Sequence, residues 1–157
     1  MSQKFLMAID NSNTAIRMAE YLKNILKKDD KVIIYNVISN PLLLFNPNPE
    51  ALPIYTDNKE VFSNIENAKK EEIHKIIQNI INIISQFINK DNIKYELDGQ
   101  REDTSIAKHI AEEAERGNYN AIVIGKHNSS SMITEFLLGS VTHKVIHLSK
   151  NIPVIVI

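Results

Sequence analysis

The 157-residue chain fits one domain, and its 43% hydrophobic and 24% charged residues are the ordinary balance of a globular protein with one sizeable core. Its 18 basic and 19 acidic side chains leave a formal net charge of −1, without the basic excess that binding to nucleic acid draws on. With no cysteine at all, disulfides, thiolate metal sites and cysteine nucleophiles are excluded. The apolar stretch Phe5 to Ile9 is too short for a signal-peptide core, and no apolar run approaches the ~20 residues that span a bilayer. The expectation is a soluble cytoplasmic protein with no membrane partner.

In chain order, Lys4 to Asp10 (KFLMAID) reads as a strand buried on both faces. Asn11, Ser12 and Asn13 are capping residues, and Ala15, Ala19, Leu22 and Leu26 share the face of a helix. Lys27 and Lys28 suit the negative end of that helix's dipole. Lys31 to Ser39 (KVIIYNVIS) is a second buried strand, rich in β-branched residues. Pro41, Pro47, Pro49 and Pro53 then break regular structure from Asn40 to Asp57, which reads as a long loop.

Glu60 to Lys90 carries the longest helical pattern, with Phe62, Ile65, Ile73, Ile76, Ile77, Ile80, Ile84 and Phe87 at helical spacing. Ile81, Ile83 and Ile88 widen its apolar face beyond one stripe. Ile93 to Leu97 alternates as a less buried strand does, and Asp98-Gly99 reads as a turn. Asp103 or Thr104 caps the next helix, whose inward face is Ile106, Ala107, Ile110, Ala111 and Ala114. Gly117 and Asn118 stop it, because both tolerate left-handed backbone. Asn120 to Gly125 (NAIVIG) is a fourth strand, followed by a polar loop, Lys126 to Ser131. Gly139 and Ser140 open a last helix through Val141, Val145 and Ile146, and Pro153 to Ile157 is a final strand.

Strands alternating with helices imply an open five-stranded parallel sheet with helices on both faces, and right-handed crossovers favour the order 3-2-1-4-5. In that order the winding reverses between the first and fourth strands. Ligands in such sheets bind at that switch point, at the carboxyl ends of the strands. Two segments meet there: Asp10-Asn11-Ser12, and Gly125 with the loop after it.

Three segments near the C-terminus then carry a resemblance: Gly125-Lys126-His127-Asn128, Glu135 to Val145 with Gly139-Ser140-Val141 inside it, and Asn151 to Val156. Together with Ala8-Ile9-Asp10-Asn11-Ser12 and Tyr35-Asn36-Val37, they resemble the universal stress protein family, over nearly the whole chain as a single domain, 1–157. The resemblance implies a Rossmann-like fold of the adenine nucleotide α-hydrolase type. It implies ATP or AMP as the ligand, with Mg²⁺ as an optional companion and none required.

The family's ligand contacts, carried over by position, become Asp10 and Val37 against adenine, Gly125 in the loop around ribose and phosphates, and Gly139 and Ser140 at the phosphate tail. Asn11, Ser12, Lys126, Asn128, Ser130 and Val141 complete the expected nucleotide site. The family's loop has a second glycine where Asn128 stands, and Gly139 lies one residue further from Gly125 than the family pattern places it. Ser129, Ser130 and Ser131 offer hydroxyls in that loop, and Lys126 a positive charge. The family also commonly forms homodimers through the final strand, here Val154 to Ile157.

Plainer readings stand beside these. Asp10 also suits a turn residue at the first helix, and Gly139-Ser140 a simple loop-to-helix cap. His143 and His147, at i, i+4, read as exposed helix residues rather than metal ligands, because no third ligand is evident. His127 reads as a loop histidine, and His74 and His109 as helix-surface residues. Met132, Ile133, Phe136, Leu137 and Leu138 form an apolar patch that packs within the chain or on a neighbour. A dimeric interaction protein of the same fold that holds no nucleotide is the alternative function. No catalytic residue and no metal site are assigned. An enzyme ranks last, at most a weak ATP hydrolase, since the chain has no Walker loop and no acid pair near Gly125.

Overall fold

β-branched and apolar residues in unbroken runs form the strands because they can be buried on both faces of a parallel sheet. In the computed structural model, which describes residues 1–10, 12–38, 59–99, 104–126 and 139–157, this holds for the centre of the sheet. The elements follow as β1 (Lys4–Ile9), α1 (Thr14–Leu22), β2 (Lys31–Ile38), α2 (Lys59–Ile84), a 3₁₀ turn (Lys90–Asn92), β3 (Ile93–Gly99), α3 (Ile106–Arg116), β4 (Ala121–Ile124), α4 (Ser140–Leu148) and β5 (Val154–Val156). The five strands form one parallel sheet in the order β3-β2-β1-β4-β5, as the sequence implies.

Alternation along β1 divides the core in two. Phe5, Met7 and Ile9 face α1 and α2, with Val32 and Ile34 of β2 and Val123 of β4. Leu6 and Ala8 face α3 and α4, with Ile33 and Tyr35 of β2 and Ile122 and Ile124 of β4. Fully burying each such Ile or Leu is worth about 1.5–3 kcal/mol relative to leaving it exposed. The register sets Ile9 opposite Asn36 and Ala8 opposite Ile124, so β1, β2 and β4 end close together at their carboxyl ends.

Several local expectations need correction. The first helix ends at Leu22, not near Lys28, because the amides of both Ile25 and Leu26 bond the Leu22 carbonyl and tighten the chain into a turn. Lys27 and Lys28 therefore lie beyond the helix. The buried Asp30 accepts from the amides of Gln3 and Lys27 and pins that turn to the start of β1. The long helix ends at Ile84, so its 26 residues run about 39 Å at 1.5 Å per residue. Ile88 remains buried beyond its end, while Phe87 is exposed.

Asp98 and Gly99 are the last residues of β3 rather than a turn. Ser105 caps α3, its hydroxyl accepting from the Lys108 amide. Thr104 is buried beside it, and Asp103 lies outside the described residues. Past α3 the left-handed residue is Asn118, at φ 52°, whereas Gly117 keeps a right-handed backbone. The proline-rich stretch from Asn40 to Asp57 and the apolar patch from Met132 to Leu138 also lie outside the described residues.

Candidate functional site

At the switch point between β1 and β4, the two strand ends and two helix starts meet. Asp10 follows β1, and its Oδ1 accepts from the Ser12 amide at 2.9 Å and from the Ser12 hydroxyl. The Ser12 Oγ in turn accepts from the Thr14 amide at 3.3 Å. This Asp-Ser-Thr relay is the short-side-chain turn that competes with regular structure at helix starts. It does the capping that Asn13 does not, since Asn13 makes no side-chain cap bond. The turn reading of Asp10 is therefore realised in the structure.

Gly125 follows β4 and lies against the start of α1. A Cβ built on it would fall inside contact distance of Thr14 Cγ2 and would touch Met18 Sδ at 3.4 Å. Glycine is needed here for strand-to-helix packing, whatever the loop beyond it holds. The Gly125 carbonyl accepts the hydroxyl of Thr142, 2.9 Å away in the first turn of α4. Thr142 is 1% exposed. The next residue, Lys126, is tied to the fifth strand's end, its amide bonding the Ile157 carbonyl at 2.7 Å while the Ile157 amide bonds Ile124.

Gly139 is the N-cap of α4 and has no side chain with which to cap it. Its φ of −56° and ψ of 151° are open to any residue, so the glycine is not there for backbone conformation. Ser140 is exposed and Val141 half-buried against the α3–α4 side of the core. Val37, at the end of β2, packs against that same side of the core. The structure thus gathers Asp10, Ser12, Gly125 and, through Thr142, Gly139 to Val141 around one end of the sheet. Val37 is at the same end of the neighbouring strand. Asn11, Asn128 and Ser130 lie outside the described residues, as does His127.

Thr14 and Thr142 were not singled out by sequence. Thr142 carries a weak signal, lying three residues before Val145 on the inward stripe of α4.

A second polar cluster lies on the α3 side of the sheet. His109 is not a surface residue, being 4% exposed, and its Nδ1 lies 3.2 Å from Asp98 Oδ2. The Tyr35 hydroxyl donates to the same oxygen at 2.8 Å. Burial pushes the Asp98 carboxyl up, but the bonds from Tyr35 and His109 outweigh it and hold it below the ordinary carboxylate range. Burial, and then the bond to Asp98, push the Tyr35 phenol well up. Further along α3 the buried Glu113 accepts from Tyr119, and Arg116 pairs with its other oxygen. His109 lies one turn from Glu113 and one from Ile106, so its place near the inward stripe was readable. On the opposite face of β2, Asn36 is buried and its Nδ2 has no hydrogen-bond partner among the described residues.

Among the described residues no group of three or more His, Asp or Glu side chains is placed to hold a metal ion. No described helix is long and apolar enough to cross a membrane.

A family model described as the universal stress protein family matches residues 1–157. No curated protein matches the sequence significantly. Among solved structures, the chain is similar to the hypothetical protein MJ0577, at 24% identity and a TM-score of 0.67, covering 100% of this chain and 96% of that one. A universal stress protein solved in complex with cAMP matches at 17% identity and a TM-score of 0.58, over 99% and 96% of the two chains. The universal stress protein from Archaeoglobus fulgidus, solved in complex with dAMP, matches at 20% identity and a TM-score of 0.52, over 98% and 96%. At these identities the likeness carries the fold.

Proposed function

Because the chain belongs to the universal stress protein family, we propose that it is a cytoplasmic regulatory module binding an adenine nucleotide, ATP or AMP, at the switch point of its sheet. The observation that carries this reading is the junction at Gly125, where the end of β4 meets Thr14 of α1 and Thr142 of α4. The start of α4 is thereby held beside the carboxyl ends of the central strands, where open parallel sheets take ligands. A helix start presents backbone N–H groups and a positive dipole end, which suit phosphate oxygens. In this reading Asp10 and Val37 flank the adenine, with Asn11 and Ser12 beside Asp10. Gly125, Lys126, Asn128 and Ser130 follow the ribose and phosphates, and Gly139, Ser140 and Val141 receive the phosphate tail. Two similar structures contain adenine nucleotides, cAMP and dAMP, which supports the same ligand class here.

The module acts as a homodimer paired through β5. That strand is the outer edge of the sheet, and Val156 on it is exposed, as are Ile146 and Leu148 of the adjoining α4. An apolar edge strand is an association hazard that two-fold pairing resolves. The second reading, a dimeric interaction protein that holds no nucleotide, is favoured by Asn128, whose side chain replaces a family glycine.

Denaturing the purified protein and identifying the released small molecules by mass spectrometry separates the two readings. Stoichiometric ATP, ADP or AMP supports the nucleotide module. An empty protein that also gains no thermal stability from excess ATP or AMP leaves the interaction protein.

A further inference from the structure

We infer that His143 and His147 form a bidentate site for a divalent transition ion such as Zn²⁺ on the outer side of α4. The sequence spacing alone is ambiguous, because two histidines one turn apart can diverge into solvent. Here their Nε2 atoms stand 3.3 Å apart, with the ring centroids 4.5 Å apart and the rings inclined at 63°. Two imidazole nitrogens on one tetrahedral Zn²⁺, each ~2.0–2.1 Å from it, stand about 3.3 Å from each other.

Both side chains are exposed, so an ion reaches them without opening the core, and water fills its remaining positions. When both neutral rings carry their proton on Nδ1, both Nε2 lone pairs are available to the ion and no proton need be lost. The ion bridges consecutive turns of a nine-residue helix and stiffens it. This site stands apart from the nucleotide reading, since neither histidine belongs to the proposed ligand contacts.

The test is a titration of the full-length protein with ZnCl₂ up to ~1 mM, followed by the imidazole ¹⁵N resonances and by calorimetry. The expected result is saturable binding in which His143 and His147 shift together while His74, exposed on α2, and the buried His109 stay still. His143→Ala and His147→Ala should each lower the affinity by about tenfold or more, and neither should unfold a helix that alanine favours. Absence of saturable binding, independent shifts of the two rings, or a smaller loss in either variant would overturn the site. His74→Ala should leave the binding unchanged.

Discussion

The Thr142 hydroxyl donates to the Gly125 carbonyl at 2.9 Å, fastening the first turn of α4 to the end of β4 across seventeen residues of chain. The carbonyl of half-buried Gly125 finds its donor in a side chain. The bond fixes where the helix start lies relative to the strand ends. Thr142→Val keeps the shape and removes the donor. It should cost about 0.5–1.5 kcal/mol in urea unfolding, and it should weaken the proposed nucleotide binding by loosening the helix start. Unchanged stability in that variant would mean the carbonyl has another partner.

Gly125 and Thr14 form a second, steric pair. Gly125→Ala should destabilise by about 1–3 kcal/mol through overpacking against Thr14 Cγ2. Thr14→Ser removes that methyl and keeps the hydroxyl, so Gly125→Ala with Thr14→Ser should recover most of the loss. A double-mutant cycle by chemical denaturation should give a coupling of about 1 kcal/mol or more. Strictly additive effects would show that the glycine is required for some reason other than Thr14.

The Tyr35–Asp98–His109 cluster makes a pH prediction. The Asp98 carboxyl sits below its ordinary value when folded. Its contribution is therefore present above the unfolded carboxylate pKa and is lost as pH falls through the lower folded one. Asp98 is 45% exposed, so the contribution is about 1 kcal/mol or less. The stability gap between wild type and Asp98→Ala should persist down to about pH 4 and close below it. A gap that widens in acid would reverse the sign of the interaction.

The proposed pairing through β5 predicts that a charge on the exposed edge prevents a dimer. Val156→Lys, at a side chain 37% exposed, should convert a dimer to a monomer in light scattering while the melting of each subunit persists. A wild-type monomer at micromolar concentration would remove the dimer, and a Val156→Lys dimer would place the interface elsewhere.

The sheet was legible because β1, β2 and β4 are apolar on both faces, a pattern that chain order and crossover handedness turn into one topology. Spacing does not mark the end of α1, because the apolar pattern continues through Leu26 while a turn closes on the Leu22 carbonyl. The switch-point location was legible for the same topological reason. The contacts that shape it were not. Thr142 reaches Gly125, and His109 reaches Asp98, only once separate elements have packed together. No spacing rule within one element encodes such a pairing. Gly125 illustrates the limit. The sequence marks it as a ligand-loop glycine, and the structure gives it a packing reason as well.

Nucleotide binding at the switch point is tested most directly by equilibrium binding of ATP and AMP to the purified protein by calorimetry, beside Gly139→Val. The backbone at Gly139 lies in a region open to valine, so the substitution adds bulk at the helix start together with a poorer N-cap residue. The expected result is saturable binding to wild type near one nucleotide per chain and its loss in Gly139→Val, with the fold retained by circular dichroism. Wild-type protein that binds neither nucleotide, or a Gly139→Val variant that binds as well as wild type, would contradict the placement of a phosphate tail at the start of α4.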